Sequence, residues 1–467
     1  MDFKGKKVLI FGSGISGTGA YRLLSALEAE CIMFDGNEKA DPDIIRSRIG
    51  ESEPIAIYTG SIPEEVLQTL DLVILSPGVP TDIPVVESFH AHDIPVWGEV
   101  ELAYRAGKGD VLAITGTNGK TTTTALLGKI MSDYKSQVFV VGNIGTSYTS
   151  KAPEMTDETV TVAEISSFQL ETIDKFAPRV SAILNITEDH LNRHHTMEEY
   201  IRVKELITSN QTPEDFCVLN YEDEELRSFG QRTVPKVLFF SSERKLPERT
   251  AGAYLNGDEI ILRMPADLQA ENDGHDSTLS ESVLLRTGDL KLLGKHNYEN
   301  VMAAALMACA YGVPAESVKK SACEFNAVEH RIEFVMEKDG VCWYNDSKGT
   351  NPDAAIKGIQ AMTRPTYLIA GGFDKGADYD EWIRSFDGKV KSLILIGQTR
   401  EKIRDAAFRL GFTDIILANN LEEAVQVCRR LSKPGDACLL SPACASWGQF
   451  ENYEQRGNMF KEFVHNC

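Results

Sequence analysis

Residues 111–122 read VLAITGTNGKTT, and this stretch decides the fold. Val111–Thr115 is a short apolar, β-branched run, the right length for one buried strand. Gly116, Thr117, Asn118 and Gly119 break that run, and Lys120, Thr121 and Thr122 open a helical segment. Glycines let successive backbone N–H groups curl around phosphate oxygens, and a helix that starts there points its positive end at the same charge. Lys120 would reach the β- and γ-phosphates of a nucleoside triphosphate, and the Thr121 hydroxyl would sit on Mg²⁺. Counted from Gly116 the loop is shorter than G-x-x-x-x-G-K-[ST], yet the order of strand, loop and helix is kept.

Downstream, a strand over 159–163 delivers Glu164 at its tip, where a nucleotide-bound Mg²⁺ needs a carboxylate. The next strand, 180–186, ends in Thr187-Glu188-Asp189-His190, which places His190 at the same sheet edge as Glu164 and Lys120. Lys204 follows in the helical run 197–208, and on its own it reads as an exposed helix lysine. A further strand is expected at 216–220, an exposed acidic loop at 266–281, and an alanine-rich helix at 300–311.

Upstream, a strand at 7–11 runs into Gly12-Ser13-Gly14-Ile15-Ser16-Gly17, a helix to about Glu28, and a second strand ending at Asp35. This is the opening βαβ of a Rossmann-like sheet. The pattern suits a dinucleotide, a nucleotide-sugar diphosphate or a purely structural turn. Strands at 55–58 and 72–76 continue it, and the first domain ends near Trp97. In the last third, strands at 366–370, 392–396, 414–417 and 437–440 alternate with helices such as 421–431. Three clusters fall at expected loops there: His330-Arg331, Asn345 to Asn351, and Gly371 to Lys375. Cations and amide donors of this kind serve phosphoryl transfer, where charge spreads over the oxygens. Cys444, within Ser441 to Phe450, reads as a small packing residue, not a nucleophile. The expected architecture is α/β in three domains: a Rossmann-like domain over 1–98, a P-loop ATPase-type domain over 99–327, and a second Rossmann-like domain over 328–467.

Composition bounds the partners. The 467 residues carry 69 acidic against 48 basic side chains, a net charge of −21. Nucleic-acid binders show the reverse balance, so DNA and RNA are not expected as partners. Nine cysteines, odd in number and without a C-x-x-C pair, suit reduced thiols in a cytosol. Met1 leads through a polar segment directly into a strand, and no apolar run approaches the roughly 20 residues of a membrane helix. A cytoplasmic protein without integral membrane contact is expected.

Taken together, Gly116 to Thr122, Glu164 to Leu170, Asn185 to His190, Gly294 to Asn300 and Ser441 to Ser446 with Glu454-Gln455-Arg456-Gly457 resemble the motifs of the Mur ligase family, in order along the whole chain. Within it the chain is most similar to the members that add D-glutamate. The resemblance implies that the loop Gly116, Thr117, Asn118, Gly119, Lys120, Thr121 and Thr122 binds ATP. Asn297, Asn300, Arg331 and Asp346 would also face the nucleotide. Two Mg²⁺ (or Mn²⁺) ions would be held by Thr121, Glu164, His190 and a carbamylated Lys204. Ser13, Gly14, Ile15, Asp35, Gly36, Ser76 and Asn143 would hold the uridine-linked substrate, and Lys375, Ser446 and Tyr453 would grip D-glutamate. The implied partners are three small molecules, UDP-N-acetylmuramoyl-L-alanine, D-glutamate and ATP, met by a monomer. Lys120, His190 and Lys204 would carry the catalysis, through an acyl-phosphate. Trp447, directly after Ser446, has no role assigned by the resemblance.

Three other readings compete: a sister amide ligase with another amino acid, a nucleotide-binding regulator without catalysis, and a dehydrogenase. An intact Lys120, Thr121, Glu164 and His190 set speaks against the regulator. The dehydrogenase needs nicotinamide binding.

Overall fold

The computed structural model describes residues 2–50, 54–143, 146–265, 279–326 and 328–466. The expected acidic loop at 266–281 lies almost wholly outside the described residues, as does Cys467. The chain forms two compact units, residues 1–287 with 299–322 and residues 288–298 with 323–467.

The first unit holds two sheets. In the first, five parallel strands run in the order Ala56–Thr59, Glu30–Asp35, Lys7–Phe11, Leu72–Leu75, Val96–Gly98. Strand order reverses beside Lys7–Phe11, and in open α/β sheets that switch point is where a ligand enters. The helix Ile15–Ala26 ends two residues before the expected stop, and Glu28 turns the chain with φ of 60°. Gly17 is dictated by close approach, because a Cβ there would stand 1.8 Å from the Gly12 carbonyl oxygen.

The second sheet has nine strands. Val138–Gly142, Val160–Glu164, Asp110–Thr115, Val180–Ile183, Phe216–Asn220, Lys236–Ser241 and Gly252–Asn256 are parallel neighbours in that order. Glu259–Pro265 and Leu279–Arg286 extend it antiparallel. The strand Val180–Ile183 stops three residues short of the expected Ile186. Its successors leave the ladder because Asn185 and Thr187 bond the phosphate loop instead. The alanine-rich helix begins at Lys295, five residues earlier than its apolar run suggests. Gly294, with φ of 92°, makes the turn into it, and the polar run Lys295 to Asn300 forms its first turns.

The second unit is built on one six-stranded sheet in the order Glu333–Lys338, Val341–Asn345, Ala437–Leu440, Thr366–Ala370, Val390–Leu395, Ile415–Leu417. All pairs are parallel except the first. Buried aliphatic residues cover both faces of its central strands, as a parallel sheet requires.

Inside the first unit, a buried carboxylate ties the helix Glu99–Ala106 to the loop that leads into the strand Val180–Ile183. Glu101 is fully buried, pairs with Arg105 at 2.5 Å, and accepts the backbone N–H groups of Asp174, Lys175 and Phe176, each at 2.9 Å. Its removal leaves the buried Phe176 amide and the part-buried Asp174 and Lys175 amides without their acceptor, and Arg105 with Asp174 alone. Glu101→Ala is therefore expected to cost about 3–5 kcal/mol, read as a lowered urea midpoint. A midpoint within error of the parent would refute the account.

Candidate functional site

Three neighbouring parallel strands of the middle sheet carry the phosphate-directed groups to one edge. The loop after Asp110–Thr115 is held from several sides. Thr117 N–H donates to the Asn185 carbonyl (2.9 Å), and Asn118 N–H to the Asn185 Oδ1 (2.8 Å). Thr117 Oγ1 accepts from Thr187 N–H at 3.0 Å. Gly119 has φ of 87°, and a Cβ there would meet Asn300 Oδ1 at 2.4 Å, so only glycine fits. Thr121 and Thr122 lie in the first turn of the helix Lys120–Tyr134.

Two lysines share one oxygen at this loop. Lys120 Nζ donates to the carbonyls of Gly116 (2.8 Å) and Thr117 (2.9 Å), and Lys204 Nζ donates to the same Gly116 oxygen (2.9 Å). The sequence alone puts Lys204 on an exposed helix face. The structure buries it to 2% exposure, over the Tyr200 ring. Burial first, and the Lys120 charge second, push its pKa well below the ordinary lysine range.

Glu164 closes the strand Val160–Glu164. Its Oε1 accepts from Asn143 Nδ2 at 3.1 Å, while its buried Oε2 has no hydrogen-bond partner. A buried carboxylate oxygen left unpaired is costly unless something cationic answers it, and a hard divalent ion suits that oxygen. His190 stands at the edge with φ of 55°, its ring exposed and 4.9 Å from the Phe168 ring. The carboxylate of Glu164 and the imidazole of His190 are of the donor types that Mg²⁺ or Mn²⁺ accepts.

The first domain supplies a cavity of about 770 Å³ at the switch point of its sheet. Ser13, Gly14, Ile15, Asp35, Gly36, Ser76 and Asn143 all line it. Ser13 donates to Asp35 through its hydroxyl (2.5 Å) and its N–H (3.3 Å), which fixes the carboxylate at the cavity wall. An adjoining cleft of about 790 Å³ shares Ser13, Gly14 and Ile15 and adds the guanidinium groups of Arg22 and Arg48.

Two residues here leave no clear mark in the sequence. Glu99 lines the cavity and is buried, its pKa raised by that burial while it accepts from Thr149 N–H (2.7 Å) and Oγ1 (2.8 Å). Arg193 forks onto Glu171, donates to the Val79 carbonyl at 2.9 Å, and stacks over Phe168. It therefore joins the His190 loop to the Ser76–Pro80 wall of the cavity. Its one legible signal was its place three residues after His190.

In the second unit all the expected clusters reach the same sheet edge. Asp346 follows Val341–Asn345, Lys375 follows Thr366–Ala370, and Ser446 follows Ala437–Leu440, three adjacent parallel strands. His330 and Arg331 enter this edge from the antiparallel side, since Glu333 lies opposite Asn345. Tyr453 opens the helix Tyr453–Asn466 and stands edge-on to His330 at 6.1 Å. Asn297 donates to the Leu293 carbonyl (2.7 Å); Asn300 belongs to the first unit, where it accepts from Thr123 Oγ1 (3.2 Å). Cys444 is buried between the hydroxyls of Tyr379 (3.1 Å) and Thr399 (3.3 Å), with its pKa raised by burial. It packs, as expected from sequence. The eight described cysteines are free thiols, and among the described residues no helix is long and apolar enough to cross a membrane.

Burial pushes the Asp346 carboxyl up to about 7, against the opposing pull of the Ser441 hydroxyl (2.7 Å) and the Arg331 charge. Between about pH 4 and pH 7 the folded chain keeps a proton that the unfolded chain has lost, so stability falls as pH rises through that window. The unit should lose up to about 4 kcal/mol from this group between pH 4 and pH 8. Urea titrations followed by the emission of buried Trp343 and Trp382 would show this slope, and Asp346→Asn should flatten it. An unchanged slope in the variant rules the assignment out.

Residues 6–98 match a model described as Mur ligase MurD-like, N-terminal domain; residues 114–308 match Mur ligase middle domain; residues 330–444 match Mur ligase, glutamate ligase domain. A protein of Lachnospira eligens named UDP-N-acetylmuramoylalanine--D-glutamate ligase is 51% identical over 466 residues, covering all of both chains. Proteins of the same name from Lachnoclostridium phytofermentans (100% of this chain, 99% of that one) and Clostridioides difficile (all of both) are 51% and 44% identical. Among solved structures, the UDP-N-acetylmuramate-alanine ligase MurC of Thermotoga maritima shares the fold, with a TM-score of 0.58 at 18% identity over 99% of both chains.

Proposed function

This chain belongs to the Mur ligase family, and from that membership we propose that it is an ATP-dependent ligase of peptidoglycan precursor synthesis, adding D-glutamate to UDP-N-acetylmuramoyl-L-alanine. One observation carries the chemistry. The phosphate loop, the unpaired Glu164 oxygen and the His190 loop leave three adjacent parallel strands at one edge, and Asn143 extends that edge into the 770 Å³ cavity. The choice of D-glutamate rests on the full-length likeness to relatives so named.

The alanyl carboxylate oxygen attacks the γ-phosphorus of ATP, ADP leaves, and an acyl-phosphate forms. The amine of D-glutamate then attacks the acyl carbon, phosphate leaves with the bonding pair, and the amine's proton passes to base. The loop amides of 116–122 and the Lys120 ammonium bind the triphosphate, where preorganised donors are worth most. Mg²⁺ held by Thr121, Glu164 and His190 would supply charge neutralisation at the phosphoryl oxygens. Asn297, Asn300, Arg331 and Asp346 are assigned to the nucleotide. Ser13, Gly14, Ile15, Asp35, Gly36, Ser76 and Asn143 are assigned to the uridine-linked substrate, and Lys375, Ser446 and Tyr453 to D-glutamate. The protein works as a cytoplasmic monomer in this reading, consistent with reduced thiols and small-molecule substrates.

Lys204 is assigned a carbamate. Its depressed pKa favours the neutral amine, the form that adds to CO₂ with loss of one proton. The product replaces a repelling ammonium by a carboxylate-like metal ligand.

The activity test is ATP-dependent phosphate release from the uridine-linked muramoyl-alanine. Release with D-glutamate but not with L-lysine is expected, and the reverse overturns the substrate assignment. Lys120→Ala should lower kcat by 100-fold or more. In CO₂-depleted buffer the rate should fall and return on adding bicarbonate, whereas indifference to CO₂ means that Lys204 acts as a free amine.

A further inference from the structure

The loops after Thr366–Ala370 and Ala437–Leu440 leave neighbouring parallel strands and are zipped together beyond the sheet. Gly371 N–H donates to the Pro442 carbonyl (2.8 Å), and Phe373 N–H to the Ala445 carbonyl (2.9 Å), with 373 and 445 forming an isolated antiparallel bridge. This brings Trp447 beside Phe373, edge to face at 5.7 Å, and sets the Lys375 ammonium 4.6 Å from the centre of the Trp447 ring.

Two features of this trio ask for an explanation. Trp447 is 53% exposed, while Trp97, Trp343 and Trp382 are buried. A large indole left in water gains little from burial, so packing does not account for it. Lys375 also has no carboxylate partner among the described residues. The adjacent Asp374 would be the obvious one, but its oxygens accept from Lys402 (3.1 and 3.2 Å) and from Gly376 N–H (2.8 Å).

We propose that Trp447 is a positioning residue for the amino-acid substrate, its indole face holding the Lys375 ammonium in place to pair with a carboxylate of D-glutamate. An aromatic face attracts a cation through its quadrupole without cancelling the charge. A carboxylate in the same place would hold the lysine equally well and then compete with the substrate for it. Phe373 braces the indole from the side, and the bridge between Phe373 and Ala445 brings the two rings together. The inference rests on the D-glutamate reading and adds to it a residue that no family role covers.

The test uses the full chain with ATP and the uridine-linked acceptor saturating and D-glutamate varied. Trp447→Ala should raise KM for D-glutamate about threefold to tenfold, with kcat and the KM values of the other two substrates within about twofold of the parent. Trp447→Phe, which keeps a weaker aromatic face, should recover most of the loss. Tryptophan emission supplies an independent readout: D-glutamate added to the parent with ADP and acceptor bound should protect an indole from acrylamide, and Trp447→Phe should lack that change. An unmoved KM in Trp447→Ala, or a common drop in kcat with all three KM values displaced, overturns the proposal and leaves Trp447 as a loop buttress. Absence of D-glutamate turnover in the parent removes the substrate reading and this inference together, so the two failures are told apart in one assay.

Discussion

Parallel strands end with their last amides and carbonyls pointing off a common edge, and those groups must be satisfied by something other than the ladder. All three sheets meet this constraint by placing glycine-rich or polar loops at that edge. The Gly116 loop follows Asp110–Thr115, the Ser76–Pro80 loop follows Leu72–Leu75, and Ser441 to Ser446 follow Ala437–Leu440. Each loop is held partly by side chains from its neighbours, as Asn185 holds Asn118 and Ser441 holds Asp346. The same groups that satisfy the backbone leave others turned toward solvent, and these are the groups available to a ligand. The site therefore follows from the strand order rather than being added to it.

The Gly116 carbonyl shows how far this goes. Two ammonium groups bond one oxygen, so they stand no farther apart than their two hydrogen bonds together allow. At about 5 Å and an effective dielectric near 20, their repulsion is about 3 kcal/mol if both are charged. Lys204 answers by losing its proton readily, and a carbamate there would turn repulsion into attraction. The unpaired Glu164 oxygen poses the complementary problem, a negative group awaiting a cation. Neither arrangement serves folding. Both make sense once a triphosphate and divalent ions share the edge.

What the sequence made legible is local. Lys7–Phe11, Asp110–Thr115, Phe216–Asn220 and Ala437–Leu440 are apolar runs closed by glycine or polar residues, and such runs announce themselves. So does the glycine spacing at 12, 14, 17, 116 and 119. The strand Glu333–Lys338 is obscured because half of its residues are charged, and Val138–Gly142 because it follows directly on a polar stretch. Long-range pairs left no trace at all. Arg193 with Glu171, Glu101 with the 174–176 amides, and Lys375 with Trp447 are separated by 22 to 75 positions, and periodicity carries no information over such spans. Lys204 is the sharpest case, since nothing in its helix marks it as the buried member.

Arg456 separates membership of a motif from contact with a ligand. It stands in the Glu454–Gly457 element that accompanies Ser441–Ser446 in the resemblance to the D-glutamate-adding members, and a cation there invites assignment to a substrate carboxylate. The structure buries it fully and commits its donors to the Ser347 hydroxyl (3.0 Å), the Ser347 carbonyl (2.8 Å) and the Cys444 carbonyl (3.2 Å). Burial lowers its pKa to about 10, so the guanidinium stays charged at neutral pH and bears the cost of desolvation. Five rigid donors suit this task, because one side chain can fix two loops at once. Those loops carry Asp346 and Ser446. The residue that looks like a ligand-binding group is thus a strut, and what it fixes are the two loops at the edge of the sheet.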